Sequence, residues 1–551
     1  MMPNESPGGA AQPVAAEAPP PSKRWLVPLL IIVFLTILLL PAPAVMTQDG
    51  RVLMMSPEAH RLMAVTFLMA GLWVSQAIPL AATSLLPLVL FPFLGIQSAK
   101  DVSQGFVSDM LFLFIGGFII ALGLERWNLH RRIALQIVTR VGVQPKRLVL
   151  GMMLATAMLS MWISNTATTL LMLPLALALL KTIDESPSPD GSFEPSAISQ
   201  QLTVPLLLGI AYAASLGGMT TIVGTPTNTA AVNIYQRAMP DAPELSVARW
   251  MMVGIPVVAV YLVVVWGVLT WRLPRRTTND ARLRTELRAR LQALGPVTSA
   301  ERRMMCIFCA TAALWILRLP LEFGDWTLIP GWSAKLKDWF QWLGSSNPAA
   351  GDQKLASEYV KDSTVAVGFA VLLFFLPSGT RDECGRSIPL MNWRTAVRLP
   401  WEIILLFGGG LALAGAFDDR VTGLAGWIGQ ALQGPMQDQP TWLVISVICC
   451  MMTFLTEVTS NVATITTVLP SLLIISEQLG IDARLLLIPA TLATSCAFML
   501  PIATAPNAIV FGSGRITAGQ MARFGVLLNL AGIPLLTVAA FWLIRPLFGI
   551  P

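Results

Sequence analysis

The chain has 551 residues, of which 54% are hydrophobic and only 12% are charged. Soluble domains contain about 25% charged residues, so this composition argues against a soluble protein, and the apolar residues form runs long enough to cross a bilayer as helices. The net charge of +6 comes from basic residues in short segments between those runs. This arrangement is typical of cytoplasmic loops, and we expect no nucleic-acid partner.

The first 22 residues are rich in proline, alanine, glycine and glutamate, which predicts a disordered cytoplasmic tail over 1–22. Lys23 and Arg24 then precede the first apolar run, 25–41. Residues 42–44 resemble the cleavage site of a signal peptide, but both the run and the segment before it are long for one. An uncleaved first helix with a cytoplasmic N-terminus is therefore favoured over a signal peptide.

Apolar segments recur along the rest of the chain and predict an all-α polytopic membrane protein. Three connectors, 126–147, 272–303 and 378–400, are rich in arginine and should be cytoplasmic. The apolar segments fall near 61–78, 81–97, 110–125, 148–163, 167–181, 202–222, 248–271, 304–318, 363–377, 402–417, 441–458, 463–479, 484–500 and 522–548.

Two pairs of these segments are too close together to be ordinary crossings. Only Ser164, Asn165 and Thr166 separate 148–163 from 167–181, and the second pair is divided around Ser460 and Asn461. Such pairs can enter and leave on one side, because non-helical backbone is tolerated at membrane depth where it is buried in protein or lines a cavity. We expect two re-entrant hairpins and about 11 transmembrane helices, which puts the C-terminus outside.

The two hairpins belong to an internal repeat. Residues 160–168 align with 456–464, and Gly224-Thr-Pro-Thr-Asn228 aligns with Ala503-Thr-Ala-Pro-Asn507. The connector before the first hairpin, 126–147, has six basic residues, whereas its counterpart, 418–440, has one arginine against three aspartates. The halves are therefore expected to lie upside down relative to each other. Inverted repeats with broken helices near the midplane are typical of secondary transporters.

The repeated motifs have the groups needed to bind a cation and an anion together. Serine, threonine and asparagine side chains donate and accept hydrogen bonds, and carbonyl groups freed where a helix breaks can coordinate Na⁺. The N-terminus of the next half-helix favours an anion. Small polar residues also join membrane helices without binding anything. Because two motifs occur in register in both halves, a binding site is the favoured interpretation.

Glu457 is an ionisable residue within an apolar segment, which makes it a functional hypothesis in its own right. Its counterpart in the first half is Met161, so it does not belong to the duplicated chemistry. We expect it to be a structural or gating partner of a basic residue rather than a direct substrate contact.

Several stretches of the chain resemble the divalent anion–sodium symporter family of dicarboxylate, citrate and sulfate carriers. They are spread from about residue 60 to 548, and the last is highly specific. The matching residues are 113–117, 127–131, 164–166, 224–226, 406–410, 456–464 and 498–511.

The resemblance implies a homodimer in the lipid bilayer, in which a transport domain moves against a scaffold domain as an elevator. It also implies Na⁺ as the coupling ion, with at least two sites. The expected divisions are a scaffold with an interfacial helix over 23–147, transport domain over 148–272, basic cytoplasmic loop over 273–303, scaffold over 304–439 and transport domain over 440–551.

Carried over by motif, the resemblance also implies the site residues. The first sodium site would contain Ser160, Ser164, Asn165 and Gly224. The second would contain Thr456, Thr459, Asn461 and Ala503. The substrate would contact Ser164, Asn165, Thr166, Thr225, Pro226, Ser460, Asn461, Val462 and Thr504. Two residues depart from the family pattern, since Val462 stands in place of a threonine and Ala505 in place of a proline.

We therefore expect a sodium-coupled symporter in the inner membrane that carries small dicarboxylates such as succinate, malate or fumarate. Within transport, the alternatives are a sodium-independent dicarboxylate exchanger and a carrier of sulfate or another divalent anion. An anion channel is disfavoured by the inverted repeat with two hairpins. An enzyme would need a nucleophile, a metal centre or an acid–base cluster at membrane depth, and the sequence has none there, so no catalytic residue is predicted.

Overall fold

The structure is a computed structural model of the chain. It describes residues 25–46, 52–184, 197–240, 242–274, 280–323, 326–343, 359–417, 421–424, 427 and 439–550. The predicted tail, 1–22, and most of the acidic connector 418–440 therefore lie outside the described residues.

The described residues are mainly helical. In the first half, the helices in chain order are α1 Leu26–Leu39, α2 Pro57–Ser75, α3 Leu80–Ser84, α4 Leu86–Phe93, α5 Ala99–Gly105, α6 Asp109–Arg126, α7 Leu129–Val141, α8 Pro145–Ser160, α9 Asn165–Asp184, α10 Ala197–Met219, α11 Pro226–Ala238, α12 Val247–Thr270 and α13 Asp280–Ala293.

The second half has α14 Ser299–Ile316, α15 Leu336–Trp342, α16 Asp362–Phe375, α17 Trp393–Ala396, α18 Trp401–Ala416, α19 Thr441–Thr456, α20 Asn461–Gln478, α21 Ala483–Thr494, α22 Ala505–Phe511, α23 Ala518–Ala539, a π-helical turn Ala540–Ile544 and α24 Arg545–Leu547. A 3₁₀ turn covers Trp332–Lys335. Three antiparallel two-stranded ribbons pair Ala44–Met46 with Val52–Met54, Leu321–Phe323 with Trp326–Ile329, and Pro377–Arg381 with Ser387–Pro389.

By length and apolar composition alone, four of the described helices could each span a membrane. The bent pair Ala99–Gly105 and Asp109–Arg126 could form a fifth span. Six shorter apolar helices of 10–17 residues accompany them, among the described residues. Fewer helices reach spanning length than the sequence predicts, in part because some apolar segments are divided. The predicted segment 81–97, for example, is divided into α3 and α4. The expected 11 crossings remain a prediction.

Both hairpins are present as helix pairs, with their turns slightly earlier than predicted. Residues 161–164 join α8 to α9, and residues 457–460 join α19 to α20. Asn165 and Asn461 are therefore the first residues of the returning helices rather than turn residues. Each asparagine side chain thus lies where a helix begins, beside backbone N–H groups that have no partner within the helix.

The two broken helices also occur where the motifs predict them. The first break separates α10 from α11 and covers 220–225, and the second separates α21 from α22 and covers 495–504. Pro226 and Pro506 lie in the first turn of the helix that follows each break. Proline is tolerated there because that position has no intrahelical N–H bond to lose.

The two halves pack crosswise around these breaks. The returning arm of the first hairpin, α9, packs against α22, which follows the second break. The returning arm of the second hairpin, α20, packs against α11, which follows the first break. Each hairpin is therefore in contact with the broken helix of the other half.

A buried ion cluster joins three separate segments of the chain. Arg318 is fully buried, and its Nε donates to Asp362 Oδ1 at 2.6 Å while its Nη2 donates to Glu244 Oε1 at 2.5 Å. The other carboxylate oxygen of Asp362 accepts a hydrogen bond from the Val247 backbone N–H at 3.1 Å. Burial raises the pKa of the Glu244 carboxyl, and the charge of Arg318 opposes that change. The cluster fixes the connection before α12 against the end of α14 and the start of α16.

Candidate functional site

Three oxygen atoms converge at the tip of the first hairpin. The hydroxyl oxygen of Ser160 lies 2.7 Å from Asn165 Oδ1 and also 2.7 Å from the carbonyl oxygen of Ala214 on α10. Ser160 is fully buried. Because a hydroxyl has only one hydrogen, it can donate to only one of these two acceptors at a time. An arrangement of a hydroxyl, an amide oxygen and a backbone carbonyl is suited to a hard cation, which prefers oxygen ligands.

The second hairpin repeats this geometry. Thr456 Oγ1 lies 2.6 Å from Asn461 Oδ1, five residues further along the chain, as Ser160 is from Asn165. One turn earlier on α19, Thr453 Oγ1 donates to the carbonyl of Ala493 at 3.4 Å. The predicted sodium residues Ser160 and Asn165 are therefore in contact, and so are Thr456 and Asn461.

Two asparagines that the site prediction omitted hold the helix breaks open in the same way. Asn228 Nδ2 donates to the carbonyls of Gly218, Met219 and Thr221 at 3.1, 3.2 and 2.8 Å. In the other half, the side-chain amide of Asn507 donates to two carbonyls that stand at the same chain separations, ten and seven residues earlier: Ala497 at 3.0 Å and Leu500 at 3.1 Å. Both asparagines are the last residues of the two aligned motifs, and this shared position is the signal by which the sequence could have identified them.

The amide oxygens of these two asparagines are buried, and neither has a hydrogen-bond partner among the described residues. A buried acceptor left in this state costs about 1–3 kcal/mol. Because the same atom is unsatisfied in both halves, Asn228 Oδ1 and Asn507 Oδ1 are additional oxygen ligands available beside the predicted sites.

The first hairpin tip lies directly against the first break. Thr221 Oγ1 donates to the Met161 carbonyl at 2.5 Å and accepts from the Gly224 N–H at 2.9 Å. A Cβ atom at Gly218 would lie 2.4 Å from Asn165 Oδ1, and one at Gly224 would lie 2.9 Å from the Met161 carbonyl oxygen. Both positions therefore require glycine for close approach. Gly224 was predicted, whereas the need for Gly218 depends on packing that the sequence does not reveal.

The remaining predicted residues differ in exposure. Thr225, Ala503, Thr459 and Val462 are buried, Thr166 is exposed, and the others are partly buried: Ser164, Pro226, Ser460 and Thr504. Ser164 Oγ accepts from the Ala167 N–H at 3.2 Å, and Thr504 Oγ1 accepts from the Asn507 N–H at 3.3 Å. The carbonyl of Val462 accepts from Thr466 Oγ1 at 2.9 Å.

A cavity of about 450 Å³ reaches the first tip and contacts Ser164 and Thr166. Its lining includes Arg398, whose Nη2 lies 3.3 Å from Glu125 Oε1 in an exposed ion pair. None of the predicted site residues is lysine or arginine. The cavity therefore places a guanidinium group on the approach to the site but not at the motifs themselves.

A comparison with protein families identifies the class of this chain. The family described as the sodium:sulfate symporter transmembrane region matches residues 22–550. The chain belongs to the sodium:sulfate symporter family. The resemblance seen in the sequence motifs is thereby confirmed.

Curated relatives of this sodium:sulfate symporter family member carry a more specific name. The sodium-dependent dicarboxylate transporter SdcS of Staphylococcus saprophyticus is 37% identical over 497 residues, which are 90% of this chain and 88% of that protein. The protein of the same name from Staphylococcus aureus strain bovine RF122 is 36% identical over 497 residues, 90% of this chain and 87% of the relative.

Two solved transporter structures share the fold of this sodium:sulfate symporter family member. MtrF of Neisseria gonorrhoeae, described with a class of antimetabolite efflux pumps, aligns with a TM-score of 0.51 at 11% identity over 95% of this chain and 97% of its own. The YdaH transporter of Alcanivorax borkumensis aligns with a TM-score of 0.51 at 12% identity over 96% of this chain and 98% of its own. At these identities the similarity is one of fold alone, and it is to helical membrane transporters.

Glu457 in this family member has different partners from those expected. Its two carboxylate oxygens accept from the backbone N–H groups of Met499 at 2.8 Å and Leu500 at 3.0 Å, and from Asn529 Nδ2 at 2.6 Å. The prediction of a basic partner is therefore wrong for the residues that the structure describes. Backbone N–H groups freed by the second helix break supply the compensation instead. Met161 is the counterpart of Glu457 in the first half, and there the hairpin contacts its own helix break through the Met161 carbonyl, which accepts a hydrogen bond from Thr221.

We predict that Glu457→Gln destabilises the folded protein. A glutamine has one acceptor oxygen for three donors, of which Asn529 is buried and the two backbone N–H groups are partly buried, and a buried donor left unsatisfied costs about 1–3 kcal/mol. Thermal unfolding of the purified variant measures the effect. Glu477→Gln is the matched control, because Glu477 is exposed on α20 of the same hairpin. Equal melting temperatures for the two variants would contradict the role given to Glu457.

Proposed function

We propose that this chain is a secondary active transporter that couples the movement of Na⁺ to the symport of small dicarboxylates. The observation that carries the proposal is the repeated convergence of oxygen atoms at Ser160–Asn165 and Thr456–Asn461. The family supports sodium coupling, and the names of the SdcS relatives support a dicarboxylate substrate. The family and the named relatives are transporters, which supports transport rather than catalysis as the activity.

The substrate would bind between the four motifs. The returning helices α9 and α20 begin at Asn165 and Asn461, and their free N–H groups favour carboxylate groups. We assign the substrate contacts to Ser164, Asn165, Thr166, Thr225, Pro226, Ser460, Asn461, Val462 and Thr504. The first Na⁺ would be held by Ser160, Ser164, Asn165 and Gly224, and the second by Thr456, Thr459, Asn461 and Ala503.

The proposed membrane topology is supported by contacts between distant connectors. On one face, Arg132 pairs with Glu301 at 2.8 Å and donates to the Gly295 carbonyl, and Trp127 donates to the Leu390 carbonyl at 2.8 Å. The three arginine-rich connectors thus meet, as they should if all are cytoplasmic. On the other face, the Arg318 cluster lies next to a second ion pair, in which Lys361 Nζ is 3.0 Å from Asp109 Oδ2. We propose that the helix ends alternate between these faces along the chain, which would give 11 crossings.

The same contacts support two re-entrant hairpins of opposite orientation. The open end of the first hairpin lies at the arginine-rich face, where Trp266 Nε1 donates to the Lys146 carbonyl at 2.8 Å. The second opens at the other face, where Ser446 on α19 contacts Thr537 near the end of α23 at 3.0 Å. We therefore propose an inverted repeat, with the C-terminus outside.

An elevator mechanism in a homodimer would follow from this division of the chain. The transport domain would comprise 148–272 and 440–551, which contain both hairpins and both breaks. The scaffold would comprise 23–147 and 304–439, with 273–303 as a cytoplasmic loop. The proposal is supported by the crosswise packing of α9 on α22 and α20 on α11, which joins the two parts of the transport domain to each other.

Site-directed labelling tests the topology. Single cysteines introduced at Arg140 and Arg290 in a cysteine-free background are expected to react with an impermeant reagent only from the cytoplasm. A cysteine at Asp438, which lies outside the described residues, should react only from outside. Labelling of Arg140 and Asp438 from the same side would contradict the inverted repeat.

The direct test of function is succinate uptake into proteoliposomes under an inward Na⁺ gradient. Sulfate is the second candidate substrate because the family description names it. Inhibition of succinate uptake by excess malate but not by sulfate would support a dicarboxylate carrier, and preference for sulfate would reverse the assignment. A sodium-independent exchanger would require substrate inside the vesicles and would respond equally to Na⁺ and K⁺.

A further inference from the structure

A second cavity lies outside the transport motifs, between the ends of three helices. Its volume is about 710 Å³, and it is enclosed by the start of α10, the end of α12 and the start of α23. Cavities of roughly 300–1,000 Å³ are typical of small-molecule sites. None of the predicted sodium or substrate residues lines it. It therefore needs an explanation of its own.

Most of the lining is apolar, and its polar side chains are concentrated near the ends of the three helices. Polar side chains occur near the helix ends, at Gln200 on α10, Arg272 after α12, and Gln520 and Arg523 on α23. Moving inward by about one or two turns, the lining becomes apolar on every helix: Val204, Pro205, Gly267, Val268, Phe524 and Leu527. The cavity has a polar mouth and an apolar body, which matches an amphiphile.

The polar mouth carries positive charge. Arg272 and Arg523 are both exposed, and neither forms an ion pair with an acidic residue that the structure describes. The guanidinium carbon of Arg272 lies 4.7 Å from the centre of the Trp271 ring, which holds the side chain against an aromatic surface at the helix end. The start of α23 adds the positive end of a 22-residue helix, capped by Thr517. Two arginines and a helix N-terminus together favour an anionic head group.

The location of the cavity favours a lipid over a soluble ligand. α12 has 24 residues and α23 has 22, so both are long enough to cross the hydrocarbon core, and a helix that just spans the core has its ends at the membrane surface. Exposed Trp271 and Leu527 border the opening, and tryptophan at this level is typical of the membrane interface. Basic pockets between transmembrane helices are known to receive lipid phosphate groups.

We propose that this cavity binds an anionic phospholipid. Its phosphate group contacts Arg272 and Arg523 at the mouth, and one acyl chain occupies the apolar space beside Gly267. The site is separate from the sodium and substrate sites, so lipid binding does not depend on the function proposed above. Its occupancy fixes the spacing of α10, α12 and α23, three helices assigned to the transport domain.

Native mass spectrometry of the detergent-purified protein tests the head-group contacts. We compare phosphatidylglycerol and phosphatidylcholine with identical acyl chains. Wild type is expected to retain phosphatidylglycerol preferentially, and the double variant Arg272→Gln/Arg523→Gln to bind it about 30-fold more weakly, given the contribution of each of the two arginines near a membrane surface. The matched control is Arg284→Gln/Arg288→Gln on α13, which removes the same charge from exposed positions outside the cavity.

A substitution at Gly267 tests the apolar body. A Cβ at this residue meets nothing within 4 Å, so the position has room for a side chain, and Gly267→Phe directs one toward the cavity that this residue lines. We expect this variant to melt at the wild-type temperature and to lose bound phosphatidylglycerol. Equal lipid retention by wild type, Gly267→Phe and the double variant would overturn the proposal. So would equal retention of the two lipids, or binding of inorganic phosphate that depends on the arginines but not on Gly267.

Discussion

Replacing either Asn165 or Asn461 with alanine is expected to reduce sodium-driven uptake nearly to background while leaving a folded protein. Each Oδ1 lies within 2.7 Å of a hydroxyl that is itself a predicted sodium ligand, and each side chain is also assigned to the substrate. One substitution therefore removes a ligand from two bound species. Loss of second-shell partners already lowers metal affinity by about 10–100-fold, so loss of a direct ligand should cost at least as much.

Initial rates of succinate uptake into proteoliposomes measure this effect, and size-exclusion profiles and thermal melting report on folding. Asn392→Ala is the matched control. Asn392 accepts from the Thr395 N–H at 2.9 Å at the start of α17, outside the predicted site, so its loss should reduce stability slightly and leave uptake intact. Normal uptake by folded Asn165→Ala or Asn461→Ala protein would refute the site assignment.

Transport is expected to require Na⁺ and to move net positive charge inward. A dicarboxylate has two negative charges, and none of the predicted site residues is basic. Burying an uncompensated dianion costs many kcal/mol, and two bound Na⁺ ions just neutralise it. A third Na⁺, implied by the family resemblance, would make each cycle electrogenic. One net charge moved across 100 mV is then worth about 2.3 kcal/mol, or roughly 50-fold in accumulation.

Uptake under an inward Na⁺ or K⁺ gradient, at zero and at inside-negative potential, separates the possibilities. Faster uptake in Na⁺ and a further increase at negative potential are expected. Equal rates in the two ions would overturn sodium coupling in favour of the exchanger. Sodium dependence without a response to voltage would limit the coupling to two ions. Binding must also be reciprocal, so that Na⁺ and substrate raise each other's affinity by the same factor.

The parts of the site formed by nearby residues were predictable from the sequence. Ser160 and Asn165, like Thr456 and Asn461, are five residues apart, so a helix end and a short turn bring them into contact without help from the rest of the fold. Both helix breaks were predictable for the same reason, because each motif combines small residues with a proline that suits the start of a helix.

The parts that depend on distant residues were not predictable. The carbonyl of Ala214 joins Ser160 from 54 residues away, and Gly218 is needed only because Asn165 packs against it. Glu457 was singled out by its charge, but its partners are two backbone N–H groups and Asn529, 42 to 72 residues further along the chain. Neither backbone groups nor a neutral amide can be identified as partners of a carboxylate from residue types alone.

The ion cluster around Arg318 has a consequence for the synthesis of the protein. Glu244 is made 74 residues before Arg318, whereas Asp362 follows 44 residues after it. At about 5–20 residues per second, the ribosome reaches Asp362 roughly 2–9 s after Arg318. Until then Glu244 is the one carboxylate of this cluster that can pair with the Arg318 guanidinium, which follows the end of α14. Loss of Asp362 would therefore be seen first as less protein inserted into the membrane, before any change in the rate of transport.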